Sequence, residues 1–143
     1  MMRKFLTVML IMVFALSMSS LVFGAKKKSV VSLKEIYDLD SLTGMYFELF
    51  LKEYNLKMPK KIDLNFAQSR SEFQALVNLT NINTNLGAVT VNGVIVISDD
   101  KITDKNRKDI LKELMRITLM ENKKNEKDIE RIIDEFFKKK GIK

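Results

Sequence analysis

The feature of this sequence that most constrains its fold is segment 88–97, in which two runs of mainly β-branched residues flank Asn92-Gly93. An Asn-Gly pair between such runs favours a two-residue type I′ turn, because both residues tolerate a positive φ. The segment is therefore predicted to form a β-hairpin with a tight turn.

Helical patterns occupy much of the remaining chain. Ser32 followed by Glu35 is a capping box, which predicts the start of a short helix. Further helix starts are predicted at Ser41, at Ser69 or Ser71, at Thr103 or Asp104, and near Glu126. Residues 62–66 alternate apolar and polar side chains, which predicts a half-buried strand. These patterns indicate a single α+β domain, mostly helical, with a strand and a β-hairpin packed on helices.

Two of the helices have distinctive sequences. The helix that starts at Ser41 ends before Pro59 and is predicted to be largely buried, because apolar residues recur at helical spacing. These residues include Leu42, Met45, Tyr46, Leu49 and Phe50. The last helix is strongly amphipathic, and Gly141 is predicted to cap its C-terminus after Lys140.

Residues 1–24 have the layout of a secretory signal peptide. Arg3 and Lys4 precede an uncharged stretch, and Val22 and Gly24 provide small residues before a cleavage site that follows Gly24. We expect residues 25–143 to form the exported domain, in the periplasm or outside the cell. Contact with a membrane is expected only through the segment before cleavage. Retention of this segment as an anchor is the alternative.

The chain has 143 residues and contains neither Cys nor His. Disulfides, thiolate nucleophiles, imidazole catalysis and His-ligated zinc are therefore excluded. The sequence also has no Gly-rich phosphate loop, no calcium-binding loop and no basic, aromatic platform for nucleic acid. We accordingly expect no cofactor, no bound metal and no nucleic-acid partner.

The helix after the hairpin carries the pattern Lys112-Glu113-x-x-Arg116. A zinc peptidase has H-E-x-x-H at such a place. Together with the preceding strand, helix and hairpin, residues 60–137 resemble the gluzincin metallopeptidases, in particular the small peptidase MA-like domains. In that family a Glu of the next helix completes the zinc site, and the resemblance gives this position to Glu135.

The resemblance implies a pseudo-enzyme, because Lys112 and Arg116 stand where the two zinc-binding histidines would be. Glu113 takes the position of the family's general base and has no zinc-bound water to activate. We expect Lys112 and Arg116 to neutralise Glu113 and Glu135, because a buried pair of carboxylates is costly without cationic partners. The alternative is that these charged residues form the solvated face of an ordinary helix.

The resemblance also implies a peptide-binding role, since in zincins the substrate pairs with an edge strand beside the metal helix. The corresponding edge is expected at Val94, Ile95, Val96 and Ile97. Such an edge would bind an extended peptide, or a segment of an envelope protein, by β-augmentation. The first hypothesis is therefore a non-catalytic binding domain of the bacterial envelope.

Two other functions stay open. A structural or adhesion accessory protein would act through basic patches at Lys26–Lys28 and residues 138–140, which are predicted to be solvated tails. Its binding would fall steeply with salt. A hydrolase would use Lys112 as a base, or Glu113 with Glu135 as a carboxylate pair.

Overall fold

The computed structural model describes the backbone of residues 26–28 and all of residues 31–77 and 85–143. Four strands form one sheet: β1 (Lys26–Lys28), β2 (Asp63–Phe66), β3 (Ala88–Val91) and β4 (Val94–Ile97). The helices are α1 (Leu33–Leu39), α2 (Ser41–Glu53), α3 (Arg70–Val77), α4 (Arg107–Glu121) and α5 (Glu126–Lys140). The predicted signal segment lies outside the described residues. Among the described helices, none has the length and apolar character of a membrane span.

The sheet is mixed, with the strand order β1-β2-β4-β3. β2 is antiparallel to β1 and parallel to β4, and β4 forms an antiparallel hairpin with β3. Asn92 and Gly93 have φ values of 50° and 79°, as a type I′ turn requires. The α+β class and the predicted hairpin are therefore confirmed.

β4 is a central strand, so the predicted exposed edge at Val94, Ile95, Val96 and Ile97 is wrong. Every residue of β4 is matched with a residue of β2 on one side and a residue of β3 on the other. The parallel pairing with β2 uses the backbone groups that a lone hairpin would leave free on this strand. Within the described residues, the free edge of the hairpin belongs to β3.

β2 is buried along its whole length, whereas a half-buried strand was expected from its alternation. Leu64 and Phe66 face the larger hydrophobic core. Asp63 and Asn65 lie on the opposite face, which is also covered, so that each is only 7% exposed. Within the described part of the chain, Asp63 Oδ1 and Asn65 Oδ1 have no hydrogen-bond partner.

Hydrophobic clusters cover both faces of the sheet. The larger one packs Ala88, Ile95 and Ile97 against apolar residues of α1, α2, α4 and α5. The smaller one joins α3 to the opposite face through Phe73 and Val96. The hairpin is consequently held between two helical layers, and α4 lies on the side of the larger core.

Helix α2 is buried on one side only, so the prediction that most of its apolar residues are covered is wrong. Phe47 and Phe50 are fully buried, whereas Leu42, Met45 and Leu49 are between 38% and 40% exposed. The cause is the placement of α2, which packs against α1 and α4 and leaves its remaining side to solvent.

The two lysine clusters belong to regular elements, so the prediction that they form tails is wrong. Lys26–Lys28 form β1, whose backbone pairs with β2. Residues 138–140 form the last turn of α5, which ends at Gly141 with a φ of 68°. Lys139 and Lys140 both pair with Glu53 of α2. Cations also interact favourably with a helix C-terminus, which accounts for their place in the last turn.

Candidate functional site

A cleft runs between the edge strand β3 and helix α4. It is a cavity of about 350 Å³. Its walls include Ala88, Val89 and Thr90 from β3, and Asp109, Lys112, Glu113 and Arg116 from α4. The helical segment identified from the sequence therefore faces this cleft.

Two hydrogen bonds attach β3 to α4. The Gly87 backbone N–H donates to Asp109 Oδ2 at 2.7 Å, and the Thr90 hydroxyl donates to Glu113 Oε2 at 2.7 Å. Position 87 requires glycine, because a Cβ atom there would lie 2.7 Å from Asn106 Cα. The position of the edge strand over the helix is thus fixed at both of these points.

Glu113 is a buried carboxylate with both oxygens occupied. Its residue is 8% exposed. Oε2 accepts the Thr90 hydroxyl, and Oε1 accepts from Arg116 Nη1 at 2.5 Å. This carboxylate connects the strand to the cationic side chains of α4.

Arg116 and Lys112 share a second carboxylate, which comes from α5. Arg116 Nε and Nη2 bind Glu130 Oε1 at 2.9 and 2.7 Å. Lys112 Nζ lies 3.5 Å from Glu130 Oε2. Two cations and two carboxylates therefore form a network in which Arg116 is central.

These contacts shift the pKa values of Glu130 and Arg116. Burial opposes ionisation of Glu130, but hydrogen bonds from Arg116 and the charges of Arg116 and Lys112 outweigh it and lower its pKa. Burial also disfavours the charged form of Arg116. Its bonds to Glu113 and Glu130 outweigh that effect and raise its pKa. Both groups are therefore ionised at neutral pH.

Glu135 does not join this network, so that part of the predicted cluster is wrong. It lies on α5 with a side chain that is 58% exposed and accepts a hydrogen bond from Arg131 Nη1 at 3.1 Å. Glu113 and Glu135 thus belong to separate ion pairs. The structure brings together Lys112, Glu113 and Arg116 from the predicted set, and Glu130 completes the group.

Helical spacing favours Glu130 over Glu135 as the glutamate of α5 that lies next to the packed face of this helix. Glu130, Ile133 and Phe137 occur at i, i+3 and i+7, which places them along one side of α5. Ile133 and Phe137 are buried, so Glu130 borders the packed face. No comparable sequence signal identifies Thr90 as a partner of Glu113, because strand and helix meet only in the folded chain.

Neither a metal site nor a relative assigns a function to the cleft. Among the described residues, no group of three or more His, Cys, Asp or Glu side chains is arranged to hold a metal ion. Comparison of the chain with models of protein families, with curated proteins and with solved structures finds no match. The function is therefore inferred from the geometry of β3 and α4.

Proposed function

We propose that this protein is a non-catalytic binding domain that captures an extended peptide segment on the free edge of β3. The observation that carries the proposal is the position of β3, which is the last described strand of the sheet and borders the cleft over α4. An edge strand offers unpaired backbone groups to a further strand, and a neighbouring cleft accepts alternate side chains of that strand.

The hairpin register identifies the backbone groups available for pairing. Val91 and Val94 flank the two-residue turn, so they exchange hydrogen bonds across the hairpin. The antiparallel pattern alternates, which directs the backbone groups of Ala88 and Thr90 away from β4. Ala88 is only 1% exposed and Thr90 is half-buried, so Thr90 provides the more accessible groups. The Gly87 carbonyl, one residue before Ala88, accepts the Ser98 N–H and agrees with this alternation.

The same arrangement supports the wider proposal of a gluzincin-like pseudo-peptidase, whose export is proposed from residues 1–24 alone. An edge strand lies beside the helix that carries Lys112, Glu113 and Arg116, as the resemblance implies. Arg116 occupies a position expected for a zinc ligand and binds Glu113 directly. In this proposal, a cation takes the place of the metal as the partner of the carboxylate.

Replacement of Thr90 by proline tests the proposal. Proline removes the outward N–H of this half-buried residue of β3, and edge strands tolerate proline at such positions. We expect the immobilised protein to retain peptides from a degenerate pool of about eight residues each, and T90P to reduce this retention about tenfold. The matched control is Thr90→Val, which loses the hydroxyl as proline does but keeps the N–H, and it should retain as much as the wild type.

Circular dichroism should show that both Thr90 variants are folded. Equal retention by folded T90P and T90V would refute the proposal, as would a wild-type protein that retains no peptide. Salt separates this function from attachment through the lysine-rich ends. Retention that falls steeply with ionic strength would favour the basic-surface alternative, because screening weakens exposed charges and leaves strand pairing largely unchanged.

A further inference from the structure

We infer that Lys112 and Arg116 form a carboxylate-binding site for the captured segment, and that Glu130 occupies this site in the free protein. The inference rests on the proposed capture of a peptide by β3. It adds the chemistry of the ligand, which must present a carboxylate over α4. It also assigns Glu130 the role of an internal competitor.

The contacts of Glu130 are those expected of a bound carboxylate. Its Oε1 receives two hydrogen bonds from Arg116, and its Oε2 lies 3.5 Å from Lys112 Nζ. An Arg and a Lys on one side of a carboxylate provide the charge-assisted bonds by which proteins recognise this group. Lys112 and Arg116 also line the wall of the cleft, whereas Glu130 binds them from α5 and is not part of the lining.

The two carboxylates bound by Arg116 differ in how firmly they are held. The Glu113 side chain is 10% exposed and is also bound by Thr90, whereas the Glu130 side chain is 51% exposed. Exposed ion pairs contribute only about 0–1 kcal/mol to stability. Exchange of Glu130 for a ligand carboxylate therefore costs little, while Glu113 stays in place.

The charged residues that line the cleft balance: Lys112 and Arg116 are cations, and Asp109 and Glu113 are carboxylates. The preference for an anionic ligand comes from hydrogen bonding, because both lining carboxylates already accept hydrogen bonds within the protein. Lys112 is 37% exposed, and in the described structure its ion pair is with Glu130. A carboxylate that displaces Glu130 gains both cations. It comes either from the C-terminus of the captured segment or from an Asp or Glu side chain within it.

An NMR titration follows two events separately: the pairing of a peptide with β3, and the binding of the peptide carboxylate to Arg116. The amide signals of Ala88 and Thr90 report pairing along β3, and the Arg116 Nε–H signal reports its carboxylate partner. The probes are degenerate peptide pools of about eight residues. One ends in a free carboxylate, one is amidated and contains Asp at a central position, and one is amidated and contains Asn there.

We expect both carboxylate-containing pools, or one of them, to move all three signals, and the neutral pool to move only the amide signals. The pool that moves Arg116 identifies the source of the carboxylate. Its apparent affinity should exceed that of the neutral pool about fivefold, the size of effect that a partly exposed ion pair supplies.

Glu130→Gln provides the decisive variant. It weakens the internal competitor, so binding of the acidic pool should tighten about fivefold while binding of the neutral pool does not change. Glu135→Gln is the matched control. It makes the same substitution on the same helix, alters the net charge equally, and should leave both affinities at the wild-type value.

The outcomes distinguish the proposed carboxylate site from the proposed capture of a peptide by β3. Equal binding of acidic and neutral pools, with shifts confined to Ala88 and Thr90, would overturn the carboxylate site and leave capture by β3 intact. Equal effects of E130Q and E135Q would also overturn it, because the effect would then arise from net charge. Absence of shifts at Ala88 and Thr90 with every pool would overturn the proposed function itself.

Discussion

Arg107, the first residue of α4, forms a two-point ion pair with Asp40, the residue that caps α2. Nε lies 2.8 Å from Oδ2, and Nη2 lies 3.3 Å from Oδ1. The same carboxylate accepts hydrogen bonds from the backbone N–H and the hydroxyl of Thr43. The backbone N–H of Asp40 therefore ends α1, and its side chain caps α2 and fixes the start of the helix that forms one wall of the cleft.

Asp40→Asn separates the ion pair from the helix cap. Asparagine caps helices as well as aspartate does, so the bond to Thr43 remains while the charge opposite Arg107 is lost. We expect the free energy of unfolding to fall by about 1–2 kcal/mol, since both side chains are largely buried and Arg107 loses a charged partner. Urea denaturation measures the change. A variant as stable as the wild type would show that the ion pair contributes nothing.

Asp40 also makes stability depend on pH. Burial opposes its ionisation, but hydrogen bonds from Arg107 and Thr43 outweigh burial and lower its pKa below the unfolded value of about 4. A lowered folded-state pKa contributes stability that is fully present above the unfolded pKa and is lost as pH falls through the folded pKa. We expect the stability difference between wild type and D40N to be constant near neutral pH and to shrink below about pH 4. Denaturation curves across this range test it, and a pH-independent difference would contradict it.

Thr90→Val tests the attachment of β3 to α4. Valine keeps the shape of the side chain and suits a strand, but it removes the donor to Glu113 Oε2. We expect a loss of about 1 kcal/mol in the free energy of unfolding, because a buried carboxylate oxygen loses its partner. Thr90→Ser keeps the hydroxyl and should retain the hydrogen bond. Faster amide exchange at Gly87 and Val89 in T90V, but not in T90S, would locate the effect at the edge strand.

Asn65→Val is expected to stabilise the protein. Asn65 lies opposite Val96 in the parallel pair and is 7% exposed, and its Oδ1 has no partner among the residues that the structure describes. Valine favours a central strand and removes an amide oxygen that lost water on folding without gaining a donor. The thermal midpoint should rise, with a gain of about 1 kcal/mol in the free energy of unfolding. A lower midpoint would show that the amide makes a necessary contact on this face.

Local sequence signals predicted the elements that depend on neighbouring residues. Asn92-Gly93 predicted the hairpin, and Ser32 with Glu35 predicted a capping box that the structure contains. Gly141 ends α5 in the left-handed conformation, as expected of a helix C-cap. These features follow from backbone conformation and from hydrogen bonds over a few residues, so the sequence determines them without reference to the remaining fold.

Predictions that depended on contacts between residues far apart in the sequence were less accurate. β-branched residues at Val94–Ile97 indicate a strand, but they do not reveal that β2 continues the sheet on its outer side. Lys26–Lys28 carry no strand pattern, and their backbone nevertheless pairs with β2. In the candidate site, helical spacing placed Lys112, Glu113 and Arg116 on one helix. It did not determine which face of α5 would meet them.

The parallel pairing of β2 and β4 has a consequence for the order in which the sheet forms. β3 and β4 are joined by a two-residue turn and are able to pair within microseconds of meeting. Pairing of β2 with β4 requires closure of a longer segment of chain that contains α3 and β3. Such non-local closure slows folding. The strand proposed to capture peptide thus belongs to the first part of the sheet to assemble, and α4 follows it in the chain. A newly made hairpin exposes its apolar face until α4 packs against it. Docking of α4 therefore removes this apolar face from contact with other copies of the chain, while the edge of β3 stays at the end of the described sheet.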